Sequence, residues 1–215
     1  MNSIKFILLS IVLVSINVIS VSQSRNFVGA RVIMKDGTVK NGFIKPMKTG
    51  LEKEIDFEEN ENTKREKIST EQIEEFYLKF DDGESKYVKQ RSYNYKKTKV
   101  NPTAFWVQEL LSGEAASLYV SYTPDSRIYT GDGMAHGMPA DMTFYGMKKA
   151  DEAMTMLGVH FIGAFNVNSN NHFRNQATKF FSDSPNLLKR IEDKEFKLLE
   201  IVSLFEEYNK EKANK

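Results

Sequence analysis

A glycine-rich loop in the second half of the chain contains the residues whose types could do chemistry. The run Met134-Ala135-His136-Gly137-Met138 places two thioethers and one imidazole close together. Such ligands suit Cu(I), a soft ion, so Met134, His136 and Met138 are candidate metal ligands. We favour the other interpretation, a loop that lies over the sheet. Methionine is a flexible core filler, and a flexible loop lacks the fixed geometry of a metal site.

A basic segment with interleaved tyrosines is a second candidate for binding. Residues 86–99 contain six basic side chains and no acidic one. This pattern can contact a nucleic-acid backbone or stack on sugars, so Lys89, Arg91 and Lys96 could hold an anionic surface glycan. We favour a strand with a solvent-exposed face followed by a basic linker, because the excess of charge is local.

Recognisable catalytic motifs are missing from the sequence. It contains no HExxH, no GxSxG, no phosphate-binding glycine loop and no zinc or calcium ligand spacing. His160 lies among apolar residues, which favours a core histidine with a backbone partner. The absence of cysteine excludes thiolate catalysis, thiolate metal sites and disulfides. We therefore assign no catalytic residue and expect no cofactor, although a hydrolytic carboxylate pair depends on a spatial separation that a sequence does not give.

Residues 1–22 have the pattern of a secretory signal peptide. Lys5 precedes an apolar run, residues 6–14, which a single serine interrupts. Cleavage after Ser22 satisfies the small-x-small rule and leaves Gln23 as the mature N-terminus. The alternative, an uncleaved anchor helix, normally needs about 20 mostly apolar residues. We therefore expect an exported protein, either periplasmic or extracellular.

Composition and charge narrow the classes of partner. Hydrophobic residues make up 40% of the chain and aromatic residues 12%, which is enough for a packed core. The leader holds one of the 30 Lys and Arg residues, so 29 basic and 29 acidic side chains remain in the mature chain. A general nucleic-acid binder is normally basic, so nucleic acid is not expected as a partner. No later run is long and apolar enough to span a membrane.

The first part of the mature chain, residues 23–98, has the pattern of a small antiparallel β-roll or half-barrel. Asp36-Gly37 and Asp82-Gly83 each separate partly alternating runs, which is a strong hairpin signal that requires positive φ at both turn residues. The expected strands are 28–35, 38–45, a short one at Ile55 and Phe57, 75–80 and 85–90.

The second part, residues 99–215, is predicted to contain further β-hairpins and a C-terminal helical region, so the whole chain is α+β. Residues 105–111 and 116–122 favour a hairpin over a helix, because the second run alternates. Trp106 is expected in the core, and further strands are expected within 142–157. Whether this part packs as one unit with residues 23–98 stays open.

Two helix signals stand near the C-terminus. Ser184 and Pro185 fit the N-cap and the first position of a helix. A following apolar stripe has helical spacing and is expected to face the sheet. Its members are Leu198, Ile201, Val202 and Phe205.

Several runs of the chain resemble a class of secreted proteins from Bacteroidetes-type bacteria. In that class a strand pair around an Asp-Gly turn precedes a "y-s-p-x-x-I-x-x-f" segment. The runs that carry the resemblance are GARVIMKDGTVKNGFI, EIDFEE, KISTEQIEEFYL, SKYVK, FWVQELLSGEAASLYVSY, ATKFFSDSPNLLKRIEDKEF and LLEIVSLFEEYN. These motifs are structural, and the class has no assigned activity, so the resemblance implies no role for any residue.

Together these features predict an exported, non-enzymatic binding or accessory protein of the cell envelope. An envelope protein is the expected partner, and the sequence does not indicate an oligomeric state. The first alternative is a periplasmic protein that binds Cu(I) in the region of residues 134–156, which includes Met134, His136 and Met138. The second is a hydrolase with an unrecognised carboxylate site.

Overall fold

The computed structural model describes residues 27–60, 63–81, 83–124, 139–161 and 169–214. Within these ranges the chain is α+β: one open antiparallel sheet of ten strands is followed by three α-helices and a short 3-10 helix. The strands are β1 (Val28–Met34), β2 (Val39–Ile44), β3 (Glu54–Glu58), β4 (Glu66–Ser69), β5 (Ile73–Phe80), β6 (Gly83–Gln90), β7 (Phe105–Leu111), β8 (Ala116–Pro124), β9 (Pro139–Lys148) and β10 (Thr155–Phe161). The helices are α1 (Ser169–Phe180), α2 (Pro185–Glu192), the 3-10 helix (Leu198–Glu200) and α3 (Ile201–Ala213).

Strand order and register define the two faces of the sheet. The order is β10-β9-β8-β7-β6-β5-β1-β2-β3-β4. Because successive side chains alternate between faces, residues paired across strands share one face. We call inner the face that carries the paired row Val32, Phe76, Tyr87, Gln108, Val120 and Phe144.

The inner face of the first half is buried by side chains of its own strands. The core cluster there takes members from β1 to β7 and has Phe76 and Trp106 at its centre. Residues 45–53, which we call the strap, connect β2 to β3 and reach across to β7. There the backbone N–H of Trp106 donates to the Gly50 carbonyl at 2.8 Å.

The inner face of the second half is buried by the C-terminal helices. A larger cluster joins strand residues such as Leu118 and Leu157 to Phe173, Phe181 and Phe205 of the helical region. Asn209 of α3 attaches this helical cover to the sheet. Its side-chain oxygen accepts the N–H groups of Ala115 and Ala116, both at 3.0 Å, and its amide donates to the Ala116 carbonyl at 2.9 Å.

A third, smaller cluster lies on the opposite face. Val107 and Tyr119 are buried there with Met154, which lies just before β10. Met154 pairs with Ser92 through an isolated parallel bridge, so the segment after β6 closes over this part of the face.

Most of the expected strands are confirmed, including the hairpin of β7 and β8 and the buried position of Trp106. The expected conformation of the first turn was wrong. Only Gly37 has positive φ, 84°, and its N–H donates to the Met34 carbonyl at 2.9 Å. This is the arrangement of a three-residue loop with a left-handed glycine, which leaves Asp36 free to accept the Thr38 N–H at 2.9 Å.

Two details of the helical region also differ from expectation. Ser184 occupies the N-cap position, but its side chain makes no cap and instead donates to Glu211. Val202 is exposed, whereas Ile201 and Phe205 are buried as expected, and the buried stripe of α3 also includes Leu204 and Tyr208. The predicted division between residues 98 and 99 stays a prediction, and strands from both parts pair in the one sheet. Among the described helices, none has the length and apolar character to cross a bilayer.

Candidate functional site

The candidate site is a cleft on the inner face, between the two larger cores. It encloses about 70 Å³. We call it the aromatic cleft. Its lining comprises Pro46, Met47, Thr49, Gly50, Phe76, Leu78, Tyr87, Trp106, Gln108, Val120, Ser121 and Tyr122. Strap residues form one wall, and side chains of β5 to β8 form the floor.

Glycine at position 50 is what allows the strap to lie against β7. Gly50 has φ of 73°, a conformation that other residues adopt only with strain. A Cβ atom there would stand 2.6 Å from the Trp106 carbonyl oxygen. Glu52 braces the strap, because its carboxylate accepts the N–H groups of Lys48 at 2.7 Å and Thr49 at 3.0 Å. The strap is therefore held against β7 at Gly50, and its own turn is held by the hydrogen bonds to Glu52.

Aromatic rings form the floor of the cleft. Phe76 and Tyr87 stack with centroids 4.9 Å apart and planes 3° from parallel. Trp106 packs on Phe76 at 5.0 Å and is only 3% exposed. Its indole N–H is buried and has no hydrogen-bond partner. An unpaired buried donor costs free energy, so this position favours any bound molecule that offers an acceptor oxygen.

A chain of neutral hydrogen bonds crosses the cleft beside the rings. The Tyr122 hydroxyl donates to the Gln108 side-chain oxygen at 2.8 Å, and the Gln108 amide donates to the Ser85 hydroxyl at 3.0 Å. Burial, with a smaller contribution from Tyr122, raises the pKa of Tyr87 to about 12. Burial also raises the pKa of Tyr122. Both phenols are thus neutral at physiological pH, and no lining residue is an acid or a base of ordinary pKa.

The side chains that line the cleft include no carboxylate, imidazole or amine. Rings, an amide, phenols and hydroxyls can stack on a ligand and hydrogen-bond to it. General acid or base catalysis needs a group whose pKa lies near the working pH, and the phenols are far from it. The cleft therefore has the properties of a site for a small uncharged molecule.

A carboxylate pair does occur on the opposite face, around Lys86. Its ammonium group lies 3.0 Å from Glu75 and 3.6 Å from Glu109. Burial would raise the pKa of Glu75, but hydrogen bonds from Tyr77 and Lys86 outweigh burial and hold that pKa below its usual value. A glycosidase acid needs a raised pKa. This pair therefore fits an ion-pair network better than a hydrolytic site.

The predicted metal ligands Met134, His136 and Met138 lie outside the described residues. Of the methionines that follow them, Met154 is fully buried in the third cluster, as expected for a core filler. Within the described ranges, no group of three His, Asp or Glu side chains is placed to hold a metal ion. The Cu(I) site stays a prediction.

Of the basic segment 86–99, Tyr87 lines the cleft, and Lys89 lies opposite Trp106 in the β6–β7 pair without lining it. Lys89 forms an ion pair with Glu71 at 2.5 Å, while Arg91 and Lys96 are exposed. His160 is half-buried on the edge strand β10, opposite Met142, so the expected core position was wrong.

Sequence reasoning missed Gln108 and Tyr122, and it included Tyr87 only as one of the tyrosines interleaved in the basic segment 86–99. One signal could have found them: their side chains are polar or phenolic, yet they lie on the same face of the sheet as the buried Phe76 and Val120. That signal depends on knowing the strand pairing. Comparison of the chain with protein-family models, with curated proteins and with solved structures finds no match in any of the three. The geometry of the cleft therefore carries the functional argument.

Proposed function

We propose that this chain is an exported, non-enzymatic binding protein of the cell envelope that holds a small neutral ligand in the aromatic cleft. One observation carries the proposal. The buried indole N–H of Trp106 has no partner, and Trp106 lines a cleft of aromatic and neutral polar side chains. Such an arrangement gains hydrogen bonding when a ligand with an acceptor enters.

Binding without turnover is the activity that suits these groups. The phenol of Tyr87 holds its proton up to a pKa of about 12, so it does not serve as a base at neutral pH. Glu75 and Glu109, the carboxylates shared by Lys86, lie on the opposite face. A hydrolase stays an alternative prediction, and recovery of the ligand in a chemically altered form would favour it.

Retention of a natural ligand tests the proposal directly. Purified protein is incubated with small molecules of an envelope extract, separated beforehand by ion exchange into neutral, anionic and cationic fractions. We expect mass spectrometry to find an unaltered molecule retained from the neutral fraction alone. Gln108→Leu should lose it, since this change removes both hydrogen-bonding ends of the side chain. Glu109→Gln is the matched control, because the neighbouring residue lies on the opposite face.

Export rests on the leader at residues 1–22, which lies outside the described residues. The resemblance to secreted proteins of Bacteroidetes-type bacteria supports the same location, periplasmic or extracellular. N-terminal sequencing of the protein from fractionated cells should give Gln23 as the first residue. Recovery from the cytoplasm with Met1 in place would contradict export.

An accessory role requires a partner in the envelope, and we propose an envelope protein. Crosslinking in intact cells followed by purification of the mature chain should recover one such protein reproducibly. Recovery of the chain only as a free species would remove the accessory role and leave small-ligand binding. The alternative Cu(I) role is tested separately, by comparing Cu(I) affinity with a variant in which Met134, His136 and Met138 are all Ala.

We also propose that the first half, within residues 23–98, curls as an antiparallel β-roll or half-barrel. Supporting this, β4 and β5 are four steps apart in the sheet order yet are joined by residues 70–72 alone. Four steps span about 19 Å in a flat sheet. The chain between Ser69 and Ile73 reaches at most about 14 Å, so a flat arrangement would not allow this link.

A further inference from the structure

We propose that the ligand of the aromatic cleft is a neutral saccharide, one edge of whose ring enters the cleft. This inference rests on the proposed function and names its class of ligand. It follows from three properties of the described residues: the shape of the apolar surface, the spare hydrogen-bonding capacity and the absence of charge.

The apolar surface of the cleft is made of ring planes and edges. Tyr87 is half-buried, and one of its faces is already stacked on Phe76 at 4.9 Å. Tyr122 is half-buried as well, on β8 across the cleft floor. A pyranose ring presents C–H groups on its faces and edges, and these pack against an aromatic ring without loss of hydrogen bonds. A sugar can therefore use the part of the floor that is still open to solvent.

The hydrogen bonds inside the protein leave capacity for a ligand. Tyr122 donates its proton to Gln108, which leaves the phenol oxygen as an acceptor. The Gln108 amide donates one proton to the Ser85 hydroxyl, and its second proton remains available to a ligand. The Trp106 indole N–H makes no hydrogen bond. The Tyr122 oxygen and the Gln108 amide lie side by side, and one ligand hydroxyl group can donate to the first and accept from the second.

Volume and charge exclude other common ligands. About 70 Å³ is the space of about two water molecules, so one or two hydroxyl groups and their carbons fit while the rest of a ring stays outside. Met47 lines the cleft from the strap, and its flexible side chain can adjust to the entering edge. A carboxylate or ammonium group would lose water without finding a charged partner among the lining residues. An acyl chain would leave the indole N–H unpaired.

Calorimetric titration of the mature protein tests the ligand class. The probes are glucose, galactose, N-acetylglucosamine and cellobiose, with glucuronate and galacturonate as charged counterparts. Cyclohexanol and benzyl alcohol are neutral ring compounds that are not saccharides. We expect at least one neutral saccharide to bind, and the uronate of the same sugar to bind at least about tenfold more weakly.

Variants tie the binding to the cleft. Gln108→Leu and Tyr122→Phe should each weaken saccharide binding by about tenfold, because each removes a neutral hydrogen-bonding group. Glu109→Gln on the opposite face should leave it unchanged. Binding that survives both cleft variants overturns the assignment of the sugar to this cleft.

The remaining outcomes separate the two proposals. If only cyclohexanol or benzyl alcohol binds, and Gln108→Leu or Tyr122→Phe alters it, the saccharide inference fails while small neutral ligand binding stands. If no neutral probe binds and no molecule is retained from the neutral envelope fraction, both proposals fail. Tighter binding of the uronates than of the neutral sugars would also overturn the saccharide inference.

Discussion

The two halves of the inner face bury similar aromatic cores by different means. In the first half, Phe76 and Trp106 are buried by neighbouring strands and by the strap. In the second half, Phe180 and Phe181 at the end of α1 meet Phe205 of α3 edge to face or tilted over the sheet. The first cover is made of chain already in the sheet, and the second is added after the last strand.

The difference explains where the aromatic cleft lies. The strap walls the cleft on one side, and the floor carries Tyr87 beside the first core, Tyr122 beside the second core and Gln108 between them. Both flanking cores are apolar, whereas this strip is phenolic and amide in character. A strip of that kind tolerates water or a neutral ligand, which the apolar cores do not.

The largest effect is expected in the helical cover. Phe205→Ala should lower the free energy of unfolding by about 3–5 kcal/mol, because the ring is fully buried among other rings. Val202→Ala, on the exposed side of the same helix, should change it by less than about 0.5–1 kcal/mol. Chemical denaturation measures both. Equal losses would mean that the helical cover is not packed as described.

The second-largest loss of stability is expected at Asn209, which attaches the helical cover to the sheet. Asn209→Ala removes the acceptor shared by the Ala115 and Ala116 N–H groups and the donor to the Ala116 carbonyl. We expect a loss of about 2–4 kcal/mol in the same denaturation experiment, since partly buried backbone groups are left unpaired. Asn214→Ala is the control, since its side chain makes one exposed bond to Lys210. A loss at Asn209 no larger than at Asn214 would contradict the attachment.

The strap should show an effect of intermediate size. Gly50→Ala and Gly37→Ala both place a side chain at positive φ, which costs about 1–2 kcal/mol. Only at Gly50 does the new Cβ also meet the Trp106 carbonyl oxygen, whereas nothing lies within 4 Å at Gly37. Gly50→Ala should therefore cost about 1–2 kcal/mol more than Gly37→Ala and shift the fluorescence of Trp106. Equal costs and an unchanged spectrum would show that the strap does not press on β7.

The smallest effect is a pH dependence that belongs to the cleft. The pKa of Tyr87 is raised to about 12, from 10.0 for an ordinary tyrosine, mainly by burial. The folded state therefore holds this proton more tightly than the unfolded state. The resulting contribution of Tyr87 to the free energy of unfolding is complete below about pH 10 and is lost between about pH 10 and pH 12. The difference in unfolding free energy between the native protein and Tyr87→Phe should decline across that window. A difference that stays flat from about pH 10 to pH 12 would contradict the burial of Tyr87.

Local signals in the sequence predicted much of the first half and of the strand pattern. Asp-Gly turns and alternation identified the hairpins, and the spacing around Trp106 identified a strand with a buried ring. Leu198, Ile201 and Phe205 of the expected stripe are buried, and Val202 alone departs from it, because residues Leu198–Glu200 form a 3-10 helix. Three residues per turn in that segment change the phase relative to an α-helix that starts at Ile201.

The cleft could not be predicted from such signals. It requires the pairing of Tyr87 with Gln108 and of Gln108 with Val120. It also requires the contact of Gly50 with Trp106, residues that are far apart along the chain. Alternation gives the face of a residue within one strand, but it does not give the neighbour of that strand.

The most direct test of the account uses the indole N–H of Trp106. The chain has one tryptophan, so a ¹H–¹⁵N correlation spectrum shows a single indole resonance. The neutral saccharides and the neutral ring compounds named above are added in turn. We predict that a binding probe moves the indole proton downfield, as a new hydrogen bond requires, and that Gln108→Leu reduces the shift. If a probe binds and shifts backbone resonances elsewhere while the indole resonance stays in place, the aromatic cleft is not the binding site.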